Sequence, residues 1–278
     1  MKIAILSGKG GTGKTFASVN LACVAQKAVY LDCDVEEPNG HLFFNPQNIT
    51  KQKTTVLLPE INNDKCDGCR KCVDFCKFNA LAFVSGKVKV FDEICHSCSG
   101  CFLICPQKAI EEKPKQIGMV QTGYFNNVKV VTGIMNAGEA SGVPIIKDVL
   151  KMSDDDALTV IDCPPGSACT VMESIESADF CVIVAEPTVF GVHNFLMVYE
   201  LVTLLKKPFG VIVNKVESFE NQMKELCDKN QINIIEQIPY SYELAKLTSM
   251  GKIAVEESEE IKKMFVNILE KIKSEVKG

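Results

Sequence analysis

The chain has no concentration of positive charge and no long apolar run, and no secretory leader is expected; each absence bears on a class of function. Its 30 Lys and Arg against 35 Asp and Glu leave a net charge of -5, with no basic tract. Neutralising the phosphates of a nucleic acid takes a surplus of Lys and Arg, so nucleic acid is not an expected partner. Apolar stretches such as Phe180 to Ala185 fall far short of the roughly 20 residues that cross a bilayer. The opening MKIAILSGKG runs straight into a strand without an apolar leader core and cleavage site, so a reducing, cytoplasmic setting is expected. At 278 residues and 46% apolar content, the length suits one large core and a small module, about two domains.

Cysteine is what the chain has in abundance. Eight of its 14 cysteines fall in two copies of one spacing, Cys66-x2-Cys69-x2-Cys72-x3-Cys76 and Cys95-x2-Cys98-x2-Cys101-x3-Cys105. Structural zinc takes four ligands in two short pairs, which leaves the triple at x2 intervals unexplained. Disulfides need an oxidising compartment, which the expected location does not supply. Both runs match the bacterial-type spacing for a [4Fe-4S] centre, in which the fourth cysteine of a run ligates the other cluster. On that rule Cys66, Cys69, Cys72 and Cys105 hold one cluster, and Cys95, Cys98, Cys101 and Cys76 hold the other. Pro106 follows the second run, whereas Lys77 stands at that place after the first; neither is a ligand position. His96, between two ligands, reads as a loop histidine making ordinary hydrogen bonds.

The second strong pattern is N-terminal. Ile3 to Leu6 is a short apolar strand, Gly8-Lys9-Gly10-Gly11-Thr12-Gly13-Lys14-Thr15 satisfies G-x4-G-K-[ST], and Phe16 to Gln26 continues as a helix. Glycines are required because backbone N–H groups must turn inward around phosphates, and the helix N-terminus adds partial positive charge. In such a loop Lys14 neutralises the β- and γ-phosphates and Thr15 offers its hydroxyl to Mg2+.

Further strands end in residues of interest. Ala28 to Leu31 leads into Asp32-Cys33-Asp34, and Leu158 to Ile161 into Asp162-Cys163-Pro164-Pro165-Gly166; carboxyl ends of parallel strands are where α/β sheets place ligands. Of the first pair, Asp32 better suits the plain role of capping the following turn. Val128 to Thr132, Phe180 to Ala185, Gly210 to Val213 and Ile232 to Ile238 read as buried strands, alternating with helix-like stretches such as Asn194 to Leu205 and Gln222 to Lys229. Asn214 and Pro239 end two of these strands, where a turn asparagine and a loop-entry proline account for them equally well. Ile261, Met264, Phe265, Ile268, Leu269 and Ile272 recur at helical spacing opposite charges of both signs. That face is expected to pack on the sheet and not on a membrane.

With Lys9 added to its second lysine, the loop resembles the deviant Walker A of the MinD/ParA/NifH-type P-loop ATPases. The whole chain resembles members of that superfamily that carry an inserted two-cluster ferredoxin domain. The resemblance implies a doubly wound, mostly parallel α/β sheet built from residues 1–59 and 114–278, with a small α+β ferredoxin module at 60–113. It implies ATP, Mg2+ and two [4Fe-4S] clusters as cofactors. Lys9 would reach the nucleotide of a partner across a face-to-face dimer, of identical chains or with a paralogue; its plain alternative is a solvated loop cation. Asp34 would orient the attacking water, Asp162 would sit by Mg2+ with Thr15, and Asn214 and Pro239 would contact the adenine.

The insert leaves the ATPase chain after Asp34, so the expected function is a slow ATPase whose nucleotide state gates electron transfer from the clusters. The acceptor would be a redox partner protein or a metal cofactor under assembly. A metal-cofactor carrier is the alternative, in which Cys169, seven residues after Asp162, shares a metal with a second subunit; a buried small hydrophobe is the plain role for such a cysteine. A MinD-like positioning ATPase would need a basic amphipathic tail that the chain lacks. Amide-forming cobyrinate synthases need a glutamine-hydrolysing domain for which too few residues remain.

Overall fold

A computed structural model describes residues 1–277. Its strands are β1 (Lys2–Leu6), β2 (Ala28–Asp32), β3 (Gln47–Ile61), β4 (Leu81–Val84), β5 (Lys87–Val90), β6 (Ile110–Phe125), β7 (Val128–Met135), β8 (Leu158–Asp162), β9 (Phe180–Ala185), β10 (Phe209–Val216) and β11 (Ile234–Pro239). The main sheet has the order β11-β10-β9-β1-β8-β2-β7-β6-β3. Seven strands from β11 to β7 run parallel, while β6 and β3 add antiparallel at one edge.

Alternation along the central strands divides the core in two. Ile3, Ile5, Tyr30, Val160 and Val182 point to one face; Ala4, Leu6, Leu31, Ile161 and Ile183 point to the other. Helices cover both faces, which is why these strands are apolar throughout. On the first face Phe16 of the helix Lys14–Cys23 meets Phe265 edge to face at 5.7 Å. Phe265, Ile268 and Ile272 of the helix Glu259–Lys277 are fully buried there, so the C-terminal apolar stripe packs on the body as expected. Among the described residues no helix is long and apolar enough to cross a membrane.

Local chemistry moves two element starts from their expected places. The first helix begins at Lys14, two residues before Phe16, because Gly13 turns left-handed immediately ahead of it. The helix expected from Asn194 begins at Val189, because the Thr188 side chain caps it by accepting a hydrogen bond from Gly191 N at 3.0 Å.

The long pair β3 and β6 is the feature that departs from a simple doubly wound sheet. The two strands pair from Gln47 opposite Tyr124 out to Ile61 opposite Ile110, and between their tips lie residues 62–109. The paired stem thus extends past Pro59 and Lys113, where the sequence placed its ends. Residues 62–109 form the β4–β5 hairpin and two short helices, Lys71–Phe75 and Gly100–Ile104.

Candidate nucleotide and iron-sulfur sites

β1 delivers the chain to the phosphate-binding loop at the point in the sheet where strand order reverses, the crevice in which open α/β sheets bind ligands. Gly11 and Gly13 hold φ of +79° and +97°, values an L side chain adopts only with strain. At Gly13 a Cβ would also lie 2.2 Å from Asn214 Nδ2, the group that donates to Thr12 O at 2.8 Å. Thr12 Oγ1 is buried without a hydrogen-bond partner among the described residues. Such an orphan in a loop of inward-facing amides fits a phosphate acceptor.

Lys14 sits at the centre of the site. Its Nζ lies 2.6 Å from Asp162 Oδ1 and 3.8 Å from Asp34 Oδ2. Burial works against its charge, but Asp162 outweighs burial and holds the ammonium above its ordinary range. Tyr30 OH donates to the other Asp162 oxygen at 2.7 Å, and burial followed by the Asp162 charge raises the phenol far above its usual value. Asp32 accepts from the backbone N–H groups of Asp34 and Gly40 at 3.3 and 3.0 Å, the turn-capping arrangement. Burial, then Asp162, raises the Asp32 carboxyl. Burial pushes Asp34 up to about 6 against the pull of Lys14. Three carboxylates around one lysine leave the cavity short of positive charge, and hydroxyl and carboxylate oxygens of the kind Thr15 and Asp162 carry are the donors that Mg2+ prefers.

The cavity lined by Lys9, Lys14, Thr15, Asp34 and Pro164 adjoins a second, with Gly11, Gly13, Phe16 and Thr248 in the walls of both. The second holds Asn214, Pro239, Tyr240 and Leu244. Asn214 and Pro239, ambiguous in the sequence, thus stand beside the loop. Glu186, at the end of β9, binds Lys9 at 2.9 Å and Lys215 at 2.6 Å, and Lys215 Nζ also donates to Gly11 O at 2.7 Å. Burial opposes ionisation of Glu186, but its two ammonium partners hold the carboxyl below the usual range. The bridging role of Glu186 and the Tyr30 contact were not read from the sequence. Only the position of Glu186 at a strand's carboxyl end, just before Pro187, marked it.

The two cysteine runs fold alike. Second-run residues lie 29 positions after their counterparts, as Cys95 does after Cys66, and the backbone repeats with them. Gly68 and Ser97, Arg70 and Ser99, and Asn79 and Lys108 are paired left-handed residues. Cys76 Sγ accepts from Ala80 N at 3.4 Å, and Cys105 Sγ from Ala109 N at 3.3 Å. One cavity is lined by Cys66, Cys69, Cys72 and Cys105, and another by Cys76, Cys95, Cys98 and Cys101. The fold therefore lines each cavity with cysteines of both runs.

Among the described residues no group of His, Cys, Asp or Glu is close enough to hold a single metal ion. A cubane keeps its thiolates farther apart than one ion does, and the surroundings fit such a group. Burial raises the Cys72, Cys95 and Cys101 thiols, Cys101 to about 11, with neighbouring cysteines adding repulsion. Iron would offset that crowding of thiolates. The module's own buried apolar residues, Leu81, Val88 and Ile110, are otherwise few, and so small a core usually needs a staple. Cys169 is exposed at the start of the helix Cys169–Ile175, whereas Cys181 and Cys227 are buried hydrophobes.

Fold and site together define a P-loop nucleotide-binding protein of the deviant-lysine type. The chain belongs to the CobQ/CobB/MinD/ParA nucleotide-binding domain family, whose model matches residues 3–255. It is 30% identical to an uncharacterized protein of Methanocaldococcus jannaschii over 98% of this chain and 96% of that one. The cell division ATPase MinD of Pyrococcus furiosus shares the fold, with a TM-score of 0.61 over 98% of both chains at 19% identity. An uncharacterized ferredoxin of M. jannaschii is 37% identical over 18% of this chain and 70% of its own length.

Proposed function

We propose that this protein hydrolyses ATP and that its nucleotide state gates electron transfer from two [4Fe-4S] clusters to a partner protein or a metal cofactor under assembly. The observation that carries the reading is continuity. The chain passes from Asp34 and Val35, which line the nucleotide cavity, through the short helix Gly40–Phe44 into β3, the stem of the cysteine module.

On this reading Lys14 exchanges its contact with Asp162 for the β- and γ-phosphates. Thr15 and Asp162 hold Mg2+, and Asp34 orients water for attack on the γ-phosphorus as ADP departs. Lys9 leaves Glu186 to meet the nucleotide of a second subunit. The clusters supply one-electron storage, and their cysteines hold them on a stem that begins at the switch.

A potentiometric EPR titration of anaerobically purified protein tests this in three states: nucleotide-free, with ADP, and with a non-hydrolysable ATP analogue and Mg2+. A shift of about 60 mV in at least one of two S = 1/2 centres, roughly tenfold in its one-electron equilibrium, is expected. Centres that ignore nucleotide in both potential and transfer rate would refute gating. A metal-cofactor carrier is the second reading, favoured by the exposed Cys169 thiol just past the Pro164-Pro165-Gly166 segment. Its signature is a third metal centre that disappears in Cys169→Ser.

A further inference from the structure

The two cysteine pockets are not equivalent. The pocket of Cys66, Cys69, Cys72 and Cys105 is lined only by residues between Ile61 and Ile110. By contrast, Cys95, His96 and Ser97 share a cleft with Glu139, Ser141 and Pro144 of the ATPase body. We infer that residues 136–142 couple the nucleotide switch to the cluster of Cys76, Cys95, Cys98 and Cys101, and that the other cluster is uncoupled. This rests on the gating reading and names its coupling element.

The segment is fixed at both ends. Toward the nucleotide, Met135 N donates to Val35 O at 2.8 Å, and Gly133 and Gly142 leave no room for a Cβ against the Val35 methyls. Val35 itself lines the nucleotide cavity beside Asp34. Toward the module, Asn136 N donates to Ile117 O at 2.9 Å and its side chain to Gln116 O at 3.2 Å. Glu139 then pairs with Lys115 at 2.9 Å, with only 10% of the Glu139 side chain exposed. Lys115 and Ile117 of β6 line the same cleft as Cys95 and His96.

A displacement of Val35 therefore passes through three hydrogen-bonded or close-packed contacts to the cleft wall. The distal pocket is lined from within the module, tied to the stem by Ile61 and Ile110 at the tips of β3 and β6, and no residue of the 136–142 segment lines it. Lys115 and Glu139 act as positioning residues: their ion pair sets how the segment seats on the second run. The proximal cluster is thus the gated one, and the distal cluster keeps one potential whatever the nucleotide.

The test is the three-state EPR titration with the two centres assigned by Cys69→Ser and Cys98→Ser, each of which perturbs one set. In the wild type the proximal centre should shift by about tenfold in its one-electron equilibrium between nucleotide states, and the distal centre should not move. Glu139→Lys and Lys115→Glu should each abolish most of the proximal shift, and the double exchange should restore it. Iron content and the unmoving distal signal show whether each variant is assembled. Amide exchange across residues 136–142 of the wild type, expected to slow with the ATP analogue, gives an independent reading. A wild type in which both centres shift equally, or the distal one alone, overturns the inference and leaves gating intact. Single variants that keep the proximal shift also overturn it. A wild type in which neither centre moves removes the gating reading itself.

Discussion

Glu186 Oε2 lies 2.9 Å from Lys9 Nζ, so the lysine that the family resemblance sends across a dimer is tied to its own subunit. The same carboxylate holds Lys215, which in turn reaches Gly11 O. One acid therefore holds both Lys9 and, through Lys215, the loop that carries it.

Replacing that acid should free the lysine. With a half-exposed partner such a pair is worth about 1 kcal/mol or less, so Glu186→Gln should tighten the nucleotide-dependent dimer by a factor of up to about 5. Sedimentation with an ATP analogue checks this, and Lys9→Ala in the same background should erase the gain. A weaker dimer in Glu186→Gln would mean that the carboxylate serves the interface directly.

Asp34 gives a pH signature with a definite sign. Its folded carboxyl is pushed up to about 6 by burial, above the unfolded value near 3.9. The native state therefore binds the extra proton, and this group's contribution falls as pH rises from about 4 to 6. The nucleotide-free protein should lose on the order of 2 kcal/mol from this source across that interval. Thermal melts of Asp34→Asn should show a flatter dependence there; an unchanged slope would place the titration elsewhere.

Gly13→Ala should disable nucleotide binding while leaving the sheet intact. The residue holds φ at +97°, and its new methyl would meet Asn214 Nδ2 at 2.2 Å. Strain of this kind costs about 1–3 kcal/mol, and the loop can relieve it only by giving up the Asn214 bond to Thr12 O. Fluorescent nucleotide titration should show at least tenfold weaker binding with a far-UV spectrum like the wild type.

The grouping of cysteines across the runs predicts a crossed pattern of defects. Cys76→Ser should alter the same EPR centre as Cys98→Ser, and Cys105→Ser the same centre as Cys69→Ser. Iron should fall toward half in any variant that loses its cluster. A pattern in which Cys76 follows Cys69 would mean that each run closes on itself.

Much of this was legible in the chain because the chemistry is local. A loop that wraps phosphates must have its glycines and lysine at fixed spacing, so Gly8 to Thr15 declared itself. The cysteines at x2 and x3 intervals did the same, as did apolar strands buried on both faces. Asn214 and Pro239 were ambiguous because a strand-end asparagine or proline serves many turns. Tyr30 passed as an ordinary strand residue, since nothing local shows that its hydroxyl meets an aspartate 132 positions away.

The sequence by itself determined the buried central strands, the loop that can hold phosphates and the two ligand sets that the spacing allows, because each depends on residues a few positions apart. Only the tertiary structure decided that Glu186 restrains Lys9, that the Asn214 and Pro239 cavity joins the phosphate loop, and that one cysteine pocket abuts the ATPase body while the other does not. Those relations depend on sheet order and on the length of the β3–β6 stem, which bring together groups that no sequence spacing relates.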